Sequence, residues 1–156
     1  MKLTVKPKSP SRQLGNSFRK WLHGLKHKFL SEKELKSHHG VAFLKGSDND
    51  LKNFAKNELG IKQLARRPDF LLKIKNDYII GEAKFLTDYG GTQNNQFDGA
   101  LKMGKIKKSN IFGIAIVDGI LWFNSNSYMH RRIKKFNGIA LSALLLEKFI
   151  KEFSGK

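Results

Sequence analysis

The 156-residue chain contains no cysteine, which excludes disulfide scaffolds, thiolate metal sites and cysteine nucleophiles. It also lacks a long hydrophobic stretch, because the longest nearly apolar run, residues 139–146, is too short to span a bilayer. The N-terminus shows no hydrophobic region of a secretory signal. We therefore expect a soluble cytoplasmic protein that does not enter a membrane.

Acidic residues are scarce: 13 Asp and Glu stand against 30 Lys and Arg, for a net charge of +17. This surplus indicates a polyanionic partner, with nucleic acid as the first candidate and a membrane surface as the second. Residues 1–40 contain ten basic and two acidic residues, residues 41–104 ten and eight, and residues 105–156 ten and three. Carboxylates repel phosphate, so their concentration in the middle indicates either a metal site within a basic surface or a solvated face.

The chain divides into a basic N-terminal segment, residues 1–40, and a core, residues 41–156. Residues 1–17 contain Pro7, Pro10 and Gly15 and are predicted to be irregular. Apolar residues recur at helical spacing from Phe18 to Leu35, with one interruption at Gly24. This pattern predicts one helix or two short ones, which dock on the core, on DNA or on a membrane surface.

Within the core, the pattern alternates between helices and strands. A helix is predicted from Ser47 or Asp48 to Gly60, and strands are predicted over 70–74, 78–85 and 110–117. Asp118-Gly119 would then turn the chain back into a strand over 120–123, and a last helix would begin at about Ile139. This order indicates an α/β fold with a mixed central β-sheet flanked by helices.

The first two strands place charged residues together. With Asn76-Asp77 as a two-residue turn, Asp69 lies opposite Lys84 and diagonal to Glu82, on the face opposite to Phe70. Two carboxylates at this spacing suit one hard cation, although an Asp after Pro is often a turn residue and Glu-x-Lys is often solvated. Glu58, on the apolar side of the preceding helix, either tilts to the rim or faces a cation.

The charged residues of this hairpin resemble a known sequence motif. Pro68-Asp69 followed by Glu82-Ala83-Lys84 resembles the PD-(D/E)XK motif of the metal-dependent nuclease superfamily. The continuation, Gly81 to Lys84 and then residues 90–97 (Gly-Gly-Thr-Gln-Asn-Asn-Gln-Phe), is similar to type II restriction endonucleases. The resemblance covers residues 50–125 and implies a restriction-endonuclease-like core. Type II enzymes are usually longer than this chain, so both a minimal enzyme and the C-terminal part of a longer one stay open.

The resemblance implies a site and a chemistry. Asp69 and Glu82 would bind Mg²⁺ together with the backbone carbonyl of Ala83, Lys84 would orient the attacking water, and Glu58 would be an additional acidic residue. The enzyme would be an endodeoxyribonuclease that leaves 5′-phosphate and 3′-hydroxyl ends on double-stranded DNA. Palindromic recognition sites mirror a two-fold axis, so a homodimer is expected.

DNA contacts are expected from polar and basic residues outside the acidic centre. The resemblance assigns Gln93 and Gln96, and the basic runs add Lys105, Lys107, Lys108, Arg131, Arg132 and Lys134 as phosphate contacts. Thr92 is predicted as the N-cap of the helix that carries the two glutamines. Two other functions stay open: a repair or junction-resolving nuclease of the same superfamily, and a non-catalytic basic nucleic-acid-binding protein or inactive remnant.

Overall fold

The computed structural model describes residues 10–156, with side chains from residue 15 onward, as a mixed seven-stranded sheet flanked by helices. The helices are α1 (Pro10–His23), α2 (Glu32–Ser37), α3 (Asp48–Asn57), α4 (Gly91–Gly104), α5 (Tyr128–Lys134) and α6 (Leu146–Ser154). The strands are β1 (Lys28–Leu30), β2 (Val41–Leu44), β3 (Phe70–Ile74), β4 (Asp77–Leu86), β5 (Lys107–Lys108), β6 (Ile111–Gly119) and β7 (Ala140–Leu141). The expected fold class is confirmed.

Strand order in the sheet is β1-β2-β3-β4-β6-β5, and β7 pairs with β6 beside β5. β3 and β4 form an antiparallel hairpin, whereas β4 and β6 run parallel and are joined through α4. A parallel connection needs such a crossover because the chain must return to the same end of the sheet. β4 is therefore flanked on both sides, and its residues lie in the middle of the fold.

Both faces of the sheet are covered. Phe70, Leu72 and Ile74 pack with α1 and α6 on one face, and Leu71 packs with α2 and α3 on the other. All five residues of β3 are buried. They include Leu71 and Lys73, which lie on the face that the alternation in the sequence predicts to be polar. Helices on both faces explain this, because a strand covered on each side no longer needs a polar face.

The hairpin turn differs from the expected one. Ile74 pairs with Asp77, so the turn residues are Lys75 and Asn76, and Lys75 has a φ of 55°. This left-handed conformation suits a tight hairpin turn, but Lys rarely signals it in a sequence. The predicted pairing is therefore wrong by two residues: Asp69 lies beside Gly81–Ala83 and not opposite Lys84. A shift of two preserves the face of every side chain.

Three other expectations need correction. Residues 120–123 do not form a return strand, because residues 120–122 form a 3₁₀ turn after Gly119 (φ 106°). The last helix, α6, begins at Leu146, not near Ile139, and carries the expected buried Leu146 and Ile150. The segment expected to be irregular contains the first half of α1 from residue 10 onward; residues 1–9 lie outside the described residues.

The N-terminal segment joins the same sheet. Gly24 ends the helical turn after α1, then β1 pairs in parallel with β2, and α2 follows. Lys73 on β3 is 5% exposed, and its ammonium donates to the carbonyls of Leu35 (3.1 Å) and Lys36 (2.7 Å) at the end of α2. Helix C-termini present such unpaired carbonyls to cations. Of the two alternatives predicted for residues 18–35, one helix or two short ones, the structure shows two helices with a strand between them, and α1 begins earlier than expected, at Pro10.

Candidate active site

Asp69 stands just before β3, beside the middle of β4. Its backbone N–H donates to the carbonyl of Gly81 (2.8 Å), and its Oδ2 accepts from the N–H of Ala83 (2.7 Å). Burial raises the pKa of Asp69 above its ordinary value, although the Ala83 N–H and Lys84 act in the opposite direction. The carboxylate is therefore held in place by the neighbouring strand and destabilised as an anion.

Glu82 is the more deeply buried carboxylate, at 1% exposure. Its Oε1 lies 3.3 Å from the Nζ of Lys84 and 3.7 Å from the Nε of Arg66. Burial raises the pKa of Glu82, Lys84 and Arg66 oppose the rise, and the charge of Asp69 adds to it. The structure therefore brings Asp69, Glu82 and Lys84 together, and all three line one groove.

The carboxylates fit a hard divalent cation. The second oxygen of Glu82, Oε2, is buried without a hydrogen-bond partner in the described part of the chain, and such an orphan oxygen is a natural ligand. Residues 10–156 contain no group of three or more His, Asp or Glu side chains able to hold a metal. Two carboxylates suffice for Mg²⁺, which keeps several waters and is completed by substrate phosphate.

A cavity of about 890 Å³ opens beside the pair and is lined by α1, Asp69, Ala83, Lys84 and α4. Asp48, the first residue of α3, reaches it and forms an ion pair with Arg19 of α1. The charge of Asp48 adds to the rise in the pKa of Asp69. Sequence reasoning missed Asp48 and Arg19, because the N-cap at Ser47 fixes where α3 begins but not which end of the helix meets the site.

Glu58 lies at the opposite end of α3. It follows Asp48 by ten residues, about 15 Å along a helix axis, and its carboxylate pairs with Lys36 of α2 at 2.7 Å. The cation that Glu58 faces is thus a lysine. The structure does not bring Glu58 to the cavity that Asp69 and Lys84 line.

The two glutamines of α4 differ in their surroundings. The Oε1 of Gln93 accepts from the N–H groups of Thr87 (2.7 Å) and Asp88 (3.2 Å), and its Nε2 donates to the Thr87 hydroxyl and the Asp88 carboxylate. Gln96 instead lines the cavity. The N-cap of α4 is Gly90, not Thr92, because the turn fixed by Gln93 starts the helix earlier than the sequence indicated.

This difference predicts that one of two matched substitutions lowers stability and that the other lowers activity. Gln93→Ala should release the turn at residues 87–88 and lower stability by about 1 kcal/mol, because several hydrogen bonds are lost at an exposed site. Gln96→Ala should leave the melting temperature unchanged and weaken DNA cleavage. Thermal melting and cleavage assays on both variants would measure this. A Gln93→Ala protein with unchanged stability would contradict the structural role.

The basic residues proposed for DNA contact lie on several elements. Lys107 and Lys108 are exposed on the edge strand β5, and Lys134 is exposed on α5. Lys105 lies over the Phe136 ring, Arg131 donates to the carbonyl of Asn126, and Arg132 pairs with Asp98. His130, which precedes Arg131, is buried with its Nδ1 3.0 Å from the carbonyl of Leu121. These contacts leave the phosphate role a prediction.

A carboxylate pair with an adjoining lysine, set where two central strands of a mixed sheet meet, defines a restriction-endonuclease-like core of the PD-(D/E)XK class. The model of the Tsp45I type II restriction enzyme family matches residues 1–153, and the chain belongs to that family. The resemblance read from residues 68–97 is thereby confirmed, and the protein is a restriction-enzyme-like nuclease whose substrate is DNA. Neither a curated protein nor a solved structure gave a match. Within the described residues, no helix is long and apolar enough to cross a membrane.

Proposed function

We propose that the protein is a Mg²⁺-dependent endodeoxyribonuclease that hydrolyses double-stranded DNA to 5′-phosphate and 3′-hydroxyl ends. The observation that carries this proposal is the buried Glu82, whose Oε2 has no hydrogen-bond partner among the described residues and whose neighbours are Asp69 and Lys84. A fold gains nothing from burying such an oxygen unless a ligand completes it. The proposed enzyme acts as a homodimer on a palindromic site.

In the proposed mechanism, Asp69, Glu82 and the carbonyl of Ala83 would hold a Mg²⁺ ion. When bound, the ion would supply Lewis-acid chemistry at the phosphate and activation of the attacking water. The N–H of Ala83 fixes the Asp69 carboxylate at 2.7 Å, so the ligand is oriented before substrate arrives. Lys84, 3.3 Å from Glu82 and open to the cavity, orients the attacking water and stabilises the developing negative charge.

Cleavage of plasmid DNA in Mg²⁺ tests this proposal. Asp69→Ala, Glu82→Ala and Lys84→Ala should each lower the rate by at least about 100-fold, since each removes a group that acts on the transition state. Glu152→Ala, on the exposed side of α6, is the matched control for loss of a carboxylate and should cut at the wild-type rate.

The products separate the competing functions. Discrete fragments from linear duplex DNA support a site-specific enzyme, whereas cutting confined to branched DNA would indicate a junction-resolving nuclease. Unchanged cutting by the three variants would contradict the assignment of the site. DNA binding that needs no divalent ion, survives Asp69→Ala and is never followed by cleavage would indicate a non-catalytic protein.

A further inference from the structure

A glycine in the middle of α4 marks a residue that sequence reasoning did not assign. Gly99 lies inside the helix, where glycine is disfavoured because it leaves the backbone too free. A Cβ at this position would lie 2.7 Å from the Nε of Arg66 and 3.4 Å from its Cδ and Cζ. The missing side chain of Gly99 therefore makes the space in which Arg66 rests against the helix.

Arg66 lies beside Glu82 and is partly open to solvent. It precedes the Pro68-Asp69 pair by two residues, in the loop between α3 and β3, and its side chain is 40% exposed. It lines the main cavity together with Asp69 and Lys84, and also a shallower groove that reaches Glu82. Substrate can therefore reach this side chain from the same opening through which it reaches the lysine.

The guanidinium group of Arg66 is close to Glu82 but is not hydrogen-bonded to it. The 3.7 Å between Arg66 Nε and Glu82 Oε1 is longer than a hydrogen bond, so the pair is held by charge alone. A guanidinium has five N–H donors in a planar fork, which matches two oxygens of a phosphate. Lys84, by contrast, is a point charge that lies closer to Glu82.

We propose that Arg66 binds the scissile phosphate, with Gly99 as the residue that positions it. Its N–H groups donate to the non-bridging oxygens, where negative charge grows as water attacks phosphorus and the bond to the 3′ oxygen breaks. The guanidinium group acts only as a hydrogen-bond donor and transfers no proton. This proposal rests on the proposed nuclease function and adds a second cation of a different kind to the lysine of the motif.

The kinetics of three variants test the role of Arg66. Arg66→Ala should lower kcat by about 100-fold, as loss of one transition-state donor does, and should raise KM for DNA by a smaller factor, because the contact to the phosphate exists in the bound state and strengthens as charge develops. Arg66→Lys, which keeps the charge without the fork, should fall between wild type and Arg66→Ala. Gly99→Ala should also lower kcat because its methyl group displaces Arg66, while the melting temperature does not fall.

Lys62→Ala is the control, since Lys62 is an exposed cation of the same loop. It should keep the wild-type kcat. Wild-type kcat in Arg66→Ala, or an equal loss in Lys62→Ala, would overturn the proposal.

A second readout separates this proposal from the nuclease function. If the wild-type protein cuts no DNA, the proposed function fails, and binding of a fluorescent duplex in Ca²⁺ then decides the role of Arg66. The slope of log Kd against log salt should be smaller by about 0.9 in Arg66→Ala, which corresponds to one phosphate contact. Equal slopes in Arg66→Ala and wild type would overturn the proposal.

Discussion

Asp69→Asn is expected to abolish DNA cleavage, to at least about 100-fold below wild type, and at the same time to raise the melting temperature. The amide oxygen can still accept the N–H of Ala83, so the strand contact is kept while the charge is lost. Burial makes the Asp69 anion costly in the fold, and removing it relieves that cost. A rise of roughly 2–4 °C corresponds to about 1 kcal/mol in a chain of this size.

The rise in melting temperature caused by Asp69→Asn should become larger as the pH increases. The pKa of Asp69 is raised on folding, so the protein is penalised once pH exceeds the ordinary value of 3.8, and fully so above the folded value. The difference in melting temperature between Asp69→Asn and wild type should therefore be small near pH 4 and grow towards pH 8. Asp77→Asn, at the other end of the hairpin, is the matched control for replacing a carboxylate by an amide.

The effect of Mg²⁺ on the melting temperature provides an independent comparison of wild type and Asp69→Asn. A ligand that binds the folded state raises its stability by mass action, so Mg²⁺ should raise the melting temperature of wild type. Asp69→Asn has lost a charged ligand and should respond much less. Equal responses of the two proteins would argue against Asp69 as a ligand, whatever the cleavage assay shows.

Gly81→Ala is expected to reduce both stability and activity. A Cβ at residue 81 would lie 2.1 Å from Cζ and 2.2 Å from Cε1 of Phe70, so the buried ring must move. Overpacking of this kind costs about 1–3 kcal/mol. Phe70 directly follows Asp69, and therefore a displaced ring also displaces the carboxylate. Chemical denaturation and plasmid cleavage would measure the two effects.

Phe70→Leu provides the matched test of this contact. Alone it should destabilise, because it removes buried ring atoms. Combined with Gly81→Ala it should recover part of the stability, since the smaller side chain leaves room for the new methyl group. The double mutant is thus expected to be more stable than the sum of the single effects. Additive losses would show that the contact between a methyl group at residue 81 and the ring of Phe70 is not the cause of the lost stability.

The motif residues were predictable because their spacing and the alternation of the strands determine which side chains share a face. The hairpin register was not, since a lysine with positive φ at the turn leaves no mark in the sequence. Its error of two residues was harmless because side chains repeat with that period. A one-residue error would have placed Asp69 on the opposite face from Glu82.

Residues 120–123 were misread because Asp-Gly before an apolar run favours a hairpin. In the fold, the outer edge of β6 is already paired with β5 and β7, so a returning strand has no partner there. The indole N–H of Trp122 instead donates to the carbonyl of Val117 at 2.7 Å. Which strand occupies an edge is a long-range property, and local sequence does not contain it.

The same limit explains why Asp48 and Arg66 went unnoticed. Asp48 is the first residue of α3 and Arg66 lies in the loop between α3 and β3, and the direction of both side chains depends on how the helices dock on the sheet. The signal that could have found Arg66 is Gly99, an isolated glycine in a helical pattern, whose partner is distant in sequence.

The buried ammonium of Lys73 links the basic leading segment to the fold of the core. It is held by two backbone carbonyls at the end of α2, a helix that lies well before the hairpin that supplies the lysine. A related segment that keeps α2 in place would supply the same carbonyls, whereas removal of the first forty residues would leave a buried cation without acceptors, at considerable cost in stability. The core is therefore expected not to fold stably without its leading segment.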